Sequence, residues 1–157
     1  MHLQQINDIN IINSIITNPD VNGDVSDDFS VNTKLTVLPN TFEWLGVYDD
    51  GQLHGLYALV PQNGTTAEIH TCLLPHFRGK KAFDAGRLLL DHLFSKYQKA
   101  ISYVPEYNRK AKLYAQVLGF TVEGINRSSY LKNNRLIDQF LVGLTKEEYL
   151  CQSQQQQ

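Results

Sequence analysis

The sequence predicts a mixed α/β domain of the α+β kind, with helices packed on a largely antiparallel sheet in the order β-α-β-β-β-α-β-α-β-β. Three observations predict it. Three strand-length runs, Phe42–Asp49, Gln52–Pro61 and Thr66–Leu74, are separated by the turn signals Asp49-Asp50-Gly51 and Gln62-Asn63-Gly64. The apolar residues that follow change period: Leu88, Leu89, Leu93 and Phe94 recur at helical spacing, with Leu90 and Tyr97 widening the stripe. Two last runs, Phe120–Leu131 and Arg135–Leu144, read as a closing hairpin across Lys132-Asn133-Asn134.

The remaining elements follow in order. Residues 2–6 form a short strand. A helix starts near Asp8, capped by Asn7 or Asp8, with Ile9, Ile12 and Ile16 on one stripe and Ile11 and Ile15 beside it; Asn18-Pro19 ends it. Residues 19–33 are polar and acidic and read as a loop with one helical turn at Ser26–Phe29. After the long helix, Ala100–Val104 is a strand bounded by Pro105. Asn108 opens a second helix to about Leu118, with Ala111, Leu113 or Tyr114, Val117 and Leu118 inward and Gly119 just past its end. Residues 145–150 add a helical turn.

At 157 residues the chain is expected to form one domain over 1–150, with 151–157 a Gln-rich, disordered tail. Its 42% hydrophobic and 19% charged residues are those of a globular protein. The net charge of −2 gives no global pull toward nucleic acid or membrane, so an anion site must be local. Cys72 and Cys151 lack metal spacing and read as reduced thiols. No signal peptide and no apolar run near ~18 residues is visible, and a cytoplasmic location is expected. No His/Cys/carboxylate cluster has metal spacing, so no metal is expected.

Local anion chemistry concentrates between Thr66 and Tyr97. A strand stopped by Pro75 delivers the basic turn Arg78-Gly79-Lys80-Lys81 to a helix N-terminus, where free N–H groups and the helix dipole face an anion. The plainer reading is a solvated loop between strand and helix.

This order, with the residues at its joints, resembles the GNAT superfamily of acyl-CoA-dependent N-acyltransferases. Strand-Pro75-x-x-Arg78-Gly79-Lys80 is similar to the family's pyrophosphate-binding turn. Asn108-x-x-Ala111 followed by Leu118-Gly119-Phe120 is similar to its second cofactor-side helix. Glu123-Gly124, then Asp138 and Gly143-Leu144, resemble the branch that acetylates ribosomal-protein N-termini and small phage-encoded relatives. The three cover about residues 66–144.

The resemblance implies helices on both faces of the sheet and a strand splayed from its neighbour, whose backbone pairs with the pantetheine arm of acetyl-CoA. It implies Leu73 and Leu74 as backbone partners, Arg78, Gly79, Lys80, Lys81 and Ala82 as the phosphate cradle, and Asn108 and Ala111 beside the thioester. It places Glu68 where some members carry a catalytic base, and His70 lies two residues on, on the same strand face. The plainer reading is a half-exposed carboxylate and a satisfied histidine. Tyr114 is the candidate acid, but the family's usual tyrosine position, four before Gly119, holds Ala115, and the offset favours a tyrosine that packs in the core. The turn departs too: counting from Arg78, positions four and six are Lys81 and Phe83, where the family carries Gly and Gly or Ala.

Two functions follow. One is an N-acetyltransferase passing an acetyl group from acetyl-CoA to a primary amine (a protein N-terminus, a lysine or a small amine) by direct attack in a ternary complex. The strand N–H near Leu73 would then act as oxyanion donor, and residues 19–33 with the 124–136 hairpin would flank the amine. The other is an accessory or binding protein that kept the fold and lost the chemistry. Either suits a phage-encoded protein in a host cytoplasm, as monomer or homodimer.

Overall fold

A computed structural model describes residues 1–155. Seven strands form one sheet: β1 (His2–Gln5), β2 (Glu43–Asp49), β3 (Gln52–Pro61), β4 (Thr66–Leu73), β5 (Lys99–Pro105), β6 (Thr121–Lys132) and β7 (Arg135–Thr145). They lie side by side as β1-β2-β3-β4-β5-β7-β6. Every neighbouring pair is antiparallel except β4 and β5. Five helices join them: α1 (Ile9–Ile16), α2 (Pro19–Val25), α3 (Lys80–Phe94), α4 (Arg109–Val117) and α5 (Lys146–Gln155).

The period-two pattern of the strands buries both faces. Leu45, Val47, Tyr57, Leu59, Ala67 and Ile69 meet Ala85, Leu89, Leu90 and Leu93 of α3, Ala115 of α4 and Tyr149 of α5 in one core. On the opposite face Trp44, Leu56, Ala58 and Cys72 pack against Ile12 and Ile15 of α1 and Val21 of α2. Helices therefore cover both faces, as the resemblance implied.

Local signals set most helix ends. The Asp8 side chain accepts the Asn10 N–H at 2.8 Å and starts α1. Asn108 does the same for α4 through the Ala111 N–H at 3.0 Å, and Gly119, at φ +97°, turns the chain out of it.

Two segments differ from the sequence reading. Residues 19–25 form α2 rather than loop: Asn18 caps it through the Asp20 N–H at 2.9 Å, and Pro19 occupies its first turn. Asn18-Pro19 thus ends one helix and starts another. The expected helical turn at 145–150 continues as α5 to Gln155, through residues read as a disordered tail. Arg87 Nη2 donates to Ser153 Oγ at 2.7 Å, and the Tyr149 hydroxyl donates to Asp91 Oδ1 at 2.6 Å, so α3 holds this helix. Residues 156–157 of that tail lie outside the described residues.

Candidate active site

β4 and β5 run parallel only from Thr66/Lys99 to Glu68/Ile101, then diverge. Their backbones open a gap toward the C-terminal ends of both strands. The Leu74 N–H donates to His54 O at 2.9 Å, which makes His54 and Leu74 a hydrogen-bonded pair of the β3–β4 ladder. Such pairs recur every second residue, so Ile69, Thr71 and Leu73 point their N–H and C=O groups away from β3, into the gap. Ser102 Oγ donates to Ile69 O at 2.9 Å and closes the narrow end. Among the described residues Thr71 and Leu73 gain no strand partner on that side.

This register corrects one expected backbone partner. The Leu74 N–H is bonded to His54 and its carbonyl accepts the Phe77 N–H at 2.9 Å, so only Leu73 of that pair faces the gap.

The turn at the wide end of the gap is anchored from below. Phe77 is fully buried, and the His54 ring stacks on it at 4.6 Å. His54 Nδ1 lies 2.9 Å from His76 Nε2. Above them Gly79 adopts φ +68° and precedes α3 with no side-chain cap. Phe83 N is bonded to Gly79 O at 3.1 Å, so the amides of Lys80, Lys81 and Ala82 ahead of it are first-turn donors without intrahelical partners.

Of the three cations, Lys80 pairs with Asp84 at 2.7 Å and Lys81 with Asp49 at 2.8 Å. The Lys81 hydrogen bond holds the Asp49 carboxyl below its usual range, and Asp49 in turn raises the lysine. Among the described residues Arg78 forms no ion pair. Phe83, in the first turn of α3, packs against the core, and its neighbour Ala82 is buried.

Glu68 and His70 share the face of β4 that also carries Cys72, beneath α1 and α2. His70 Nε2 lies 3.2 Å from Glu68 Oε1; the histidine side chain is 51% exposed and the carboxylate 15%. Gln62 Nε2 donates to the other Glu68 oxygen at 3.0 Å. Cys72 is buried in the same core, and burial pushes its thiol up to about 12.

Tyr114 turns elsewhere. Its hydroxyl donates to Ala82 O at 2.9 Å and lies 2.8 Å from the Tyr57 hydroxyl, with Gly86 leaving room for it. Burial pushes its pKa up to about 12, against the lowering effect of the Tyr57 hydrogen bond. Ala111 packs against the same core.

The far wall comes from segments the sequence left separate. Asn108 Nδ2 donates to Asp24 O at 3.1 Å, tying the end of α2 to the start of α4. Asp28 and Lys132 join the residues after α2 to the β6–β7 turn. A cavity of about 430 Å³ opens beside this junction, lined by Glu106, Tyr107, Lys132, Arg135 and Ile137 among others. Of the acidic loop's carboxylates, Asp27 is taken up locally, where Ser30 and backbone amides hold it below its usual range. Ser102, His54, Asp49 and Lys132 carried no sequence signal, since each acts through a partner more than 30 residues away or through a pairing register.

Among the described residues no group of three or more His, Cys, Asp or Glu side chains is placed to hold a metal ion. No described helix is long and apolar enough to cross a membrane.

Comparison with known proteins agrees with this architecture. A spermidine N-acetyltransferase from Vibrio cholerae, solved in complex with CoA and spermine, superposes with a TM-score of 0.79 at 22% identity, over 94% of this chain and 96% of that one. RimJ from Mycobacterium smegmatis, in complex with CoA-disulfide, superposes with a TM-score of 0.62 at 22% identity, over 69% and 55%. A protein of Acyrthosiphon pisum secondary endosymbiont phage 1 is 26% identical over 113 residues, 71% of this chain and 73% of that protein. The family model described as "Protein of unknown function (DUF2824)" matches residues 3–155. The chain therefore belongs to the DUF2824 family, and its fold is that of the GNAT N-acetyltransferases.

Proposed function

We propose that this protein transfers an acetyl group from acetyl-CoA to a primary amine, in a ternary complex and without a covalent enzyme intermediate. The observation that carries the reading is the gap between β4 and β5, with Thr71 and Leu73 open toward it and the uncapped start of α3 at its wide end. Acetyl-CoA supplies the activated thioester. The amides of Lys80, Lys81 and Ala82, with the Arg78 guanidinium, would hold its pyrophosphate. The Leu73 and Thr71 backbone would pair with its pantetheine arm.

In the reaction the amine nitrogen attacks the thioester carbon. The Leu73 N–H stabilises the oxyanion that forms. Glu68, with His70 beside it, takes the proton the amine must lose, directly or through water. Collapse breaks the carbon–sulfur bond, and the CoA thiolate leaves and takes its proton from solvent. The residues around α2 and the β6–β7 turn would bound the amine. The similarity to a phage protein supports a phage-encoded enzyme, which would work in a host cytoplasm.

A second reading, an accessory protein on the same fold, draws on the ion pairs that already occupy Lys80 and Lys81. One titration separates the two. A ligand bound only by the folded state at about 100 times its Kd stabilises by about 2.7 kcal/mol, so millimolar acetyl-CoA should raise Tm by several degrees. Arg78→Glu should weaken that binding. Absence of both a Tm shift and a calorimetric signal at millimolar acetyl-CoA would sink the acetyltransferase reading.

A further inference from the structure

α2 is a poor helix by itself. It has seven residues, among them Gly23, Asn22 and two aspartates, and it ends without a glycine of its own. Its last carbonyls are satisfied from elsewhere. Lys132 Nζ, at the end of β6, donates to Gly23 O at 2.9 Å and to Ser26 O at 2.6 Å. A cation at a helix C-terminus also meets the negative end of the dipole. The tie is reciprocal. The Asp28 carboxylate accepts the Asn133 and Asn134 N–H groups at 2.8 Å each, and the Asp28 N–H donates to Leu131 O at 2.9 Å. Asn133 and Asn134 have φ +52° and +59°, a tight turn that presents both amides outward.

α2 therefore rests on three supports. Val21 packs in the core that contains Cys72 of β4. Asp24 O is held by Asn108, the cap of α4 three residues past β5. The C-terminal carbonyls are held by Lys132. β4 and Asn108 stand on opposite sides of the gap, so α2 crosses the face that carries Glu68 and His70. The Lys132 ammonium also passes 5.9 Å from the centre of the Tyr107 ring and lines the adjoining cavity.

From this geometry we infer that Lys132 is a positioning residue: by stapling α2 to the β6–β7 turn it fixes the amine-facing wall of the gap and determines which amines fit. The inference rests on the acetyl-transfer reading. It separates the two substrates, because the Lys132 ammonium reaches Gly23, Ser26 and Tyr107, none of which belongs to the phosphate cradle at the start of α3.

The test compares wild type, Lys132→Met and Lys132→Arg by amide hydrogen exchange and acetyl-CoA titration. It adds steady-state kinetics with spermidine, a peptide with a free N-terminus, and an N-terminally blocked peptide carrying one lysine. In Lys132→Met, exchange over residues 19–33 should accelerate about tenfold, as a local opening free energy falls. The KM for the amine should rise about fivefold or more, with kcat and the acetyl-CoA Kd within about twofold. The ranking of the three amines should flatten, and Lys132→Arg should restore most of it. Asp28→Ala, which cuts the tie from the other side, should reproduce the Lys132→Met pattern. Unchanged exchange over 19–33, or an unchanged amine KM and ranking, overturns the inference. Wild type that binds no acetyl-CoA would count against the acetyl-transfer reading instead, and the exchange data would still decide whether Lys132 holds the wall.

Discussion

Tyr114 sits at a fork between chemistry and packing, and its hydroxyl decides the matter by its partners. It donates to Ala82 O and meets the Tyr57 hydroxyl, and the Tyr57 side chain is itself fully buried. With its pKa pushed up to about 12, mainly by burial, it stays protonated at any ordinary working pH. Ala82 belongs to the first turn of α3, so the tyrosine braces the turn proposed to hold phosphate. Tyr114→Phe should cost about 1 kcal/mol, the net worth of a hydrogen bond, and leave turnover within a few-fold. Tyr114→Ala should cost about 3 kcal/mol through the cavity it leaves. Urea unfolding and kinetics check both; a turnover loss near 100-fold in Tyr114→Phe at unchanged stability would assign it the role of acid.

The contact between α3 and α4 is set by Gly86. A Cβ there would lie 2.6 Å from the Tyr114 hydroxyl oxygen and 2.7 Å from a Leu118 methyl. The tyrosine oxygen is fixed by two hydrogen bonds and has no room to yield. Alanine is the better helix former by about 1 kcal/mol, yet overpacking a core contact costs about 1–3 kcal/mol. Gly86→Ala should therefore lower the urea midpoint with little change in m-value. A midpoint equal to or above wild type would show that the helices separate freely. Element α2 illustrates the opposite balance: its own residues hardly favour a helix, and Lys132 and Asn108 complete it from other parts of the chain.

Across the whole molecule α3 lies along β2 and is clamped at both ends. Lys81 holds Asp49 at one end; His92 and Lys96 hold Glu43 at the other, at 2.8 and 2.9 Å. The geometry fits, since α3 is about 22 Å long and the span from Glu43 to Asp49 is about 20 Å. Burial alone would raise the Glu43 pKa, but the Lys96 and His92 hydrogen bonds outweigh it and leave the group below its ordinary 4.5. A depressed carboxyl stabilises fully above its unfolded pKa and loses that contribution as pH falls through the folded value. In that window the unfolded chain binds more protons, so stability rises with pH. Stability should drop as pH falls below about 4, and Glu43→Gln should make the slope between about pH 3 and 5 shallower. Identical slopes in urea titrations of the two proteins would remove Glu43 from the acid response.

The sequence by itself determined what depends on neighbours a few residues apart. Asp50-Gly51 and Asn133-Asn134 carry the positive φ that hairpin turns need. Asp8 and Asn108 cap their helices, and the apolar periods of Leu89, Leu93 and the strands fix the two buried faces. Arg78-Gly79-Lys80 at the start of a helix was legible for the same reason. Tertiary structure alone decided the rest. Where β4 leaves β5 depends on pairing between residues 33 positions apart, Glu68 and Ile101. That Leu73 rather than Leu74 faces the gap depends on the register with His54. The direction of Tyr114 depends on Tyr57, and α2 leans on Asn108 and Lys132, which reach it from more than 80 residues away. Each is a choice between states that local propensity leaves nearly equal, settled by one long-range hydrogen bond or register that no short window of sequence contains.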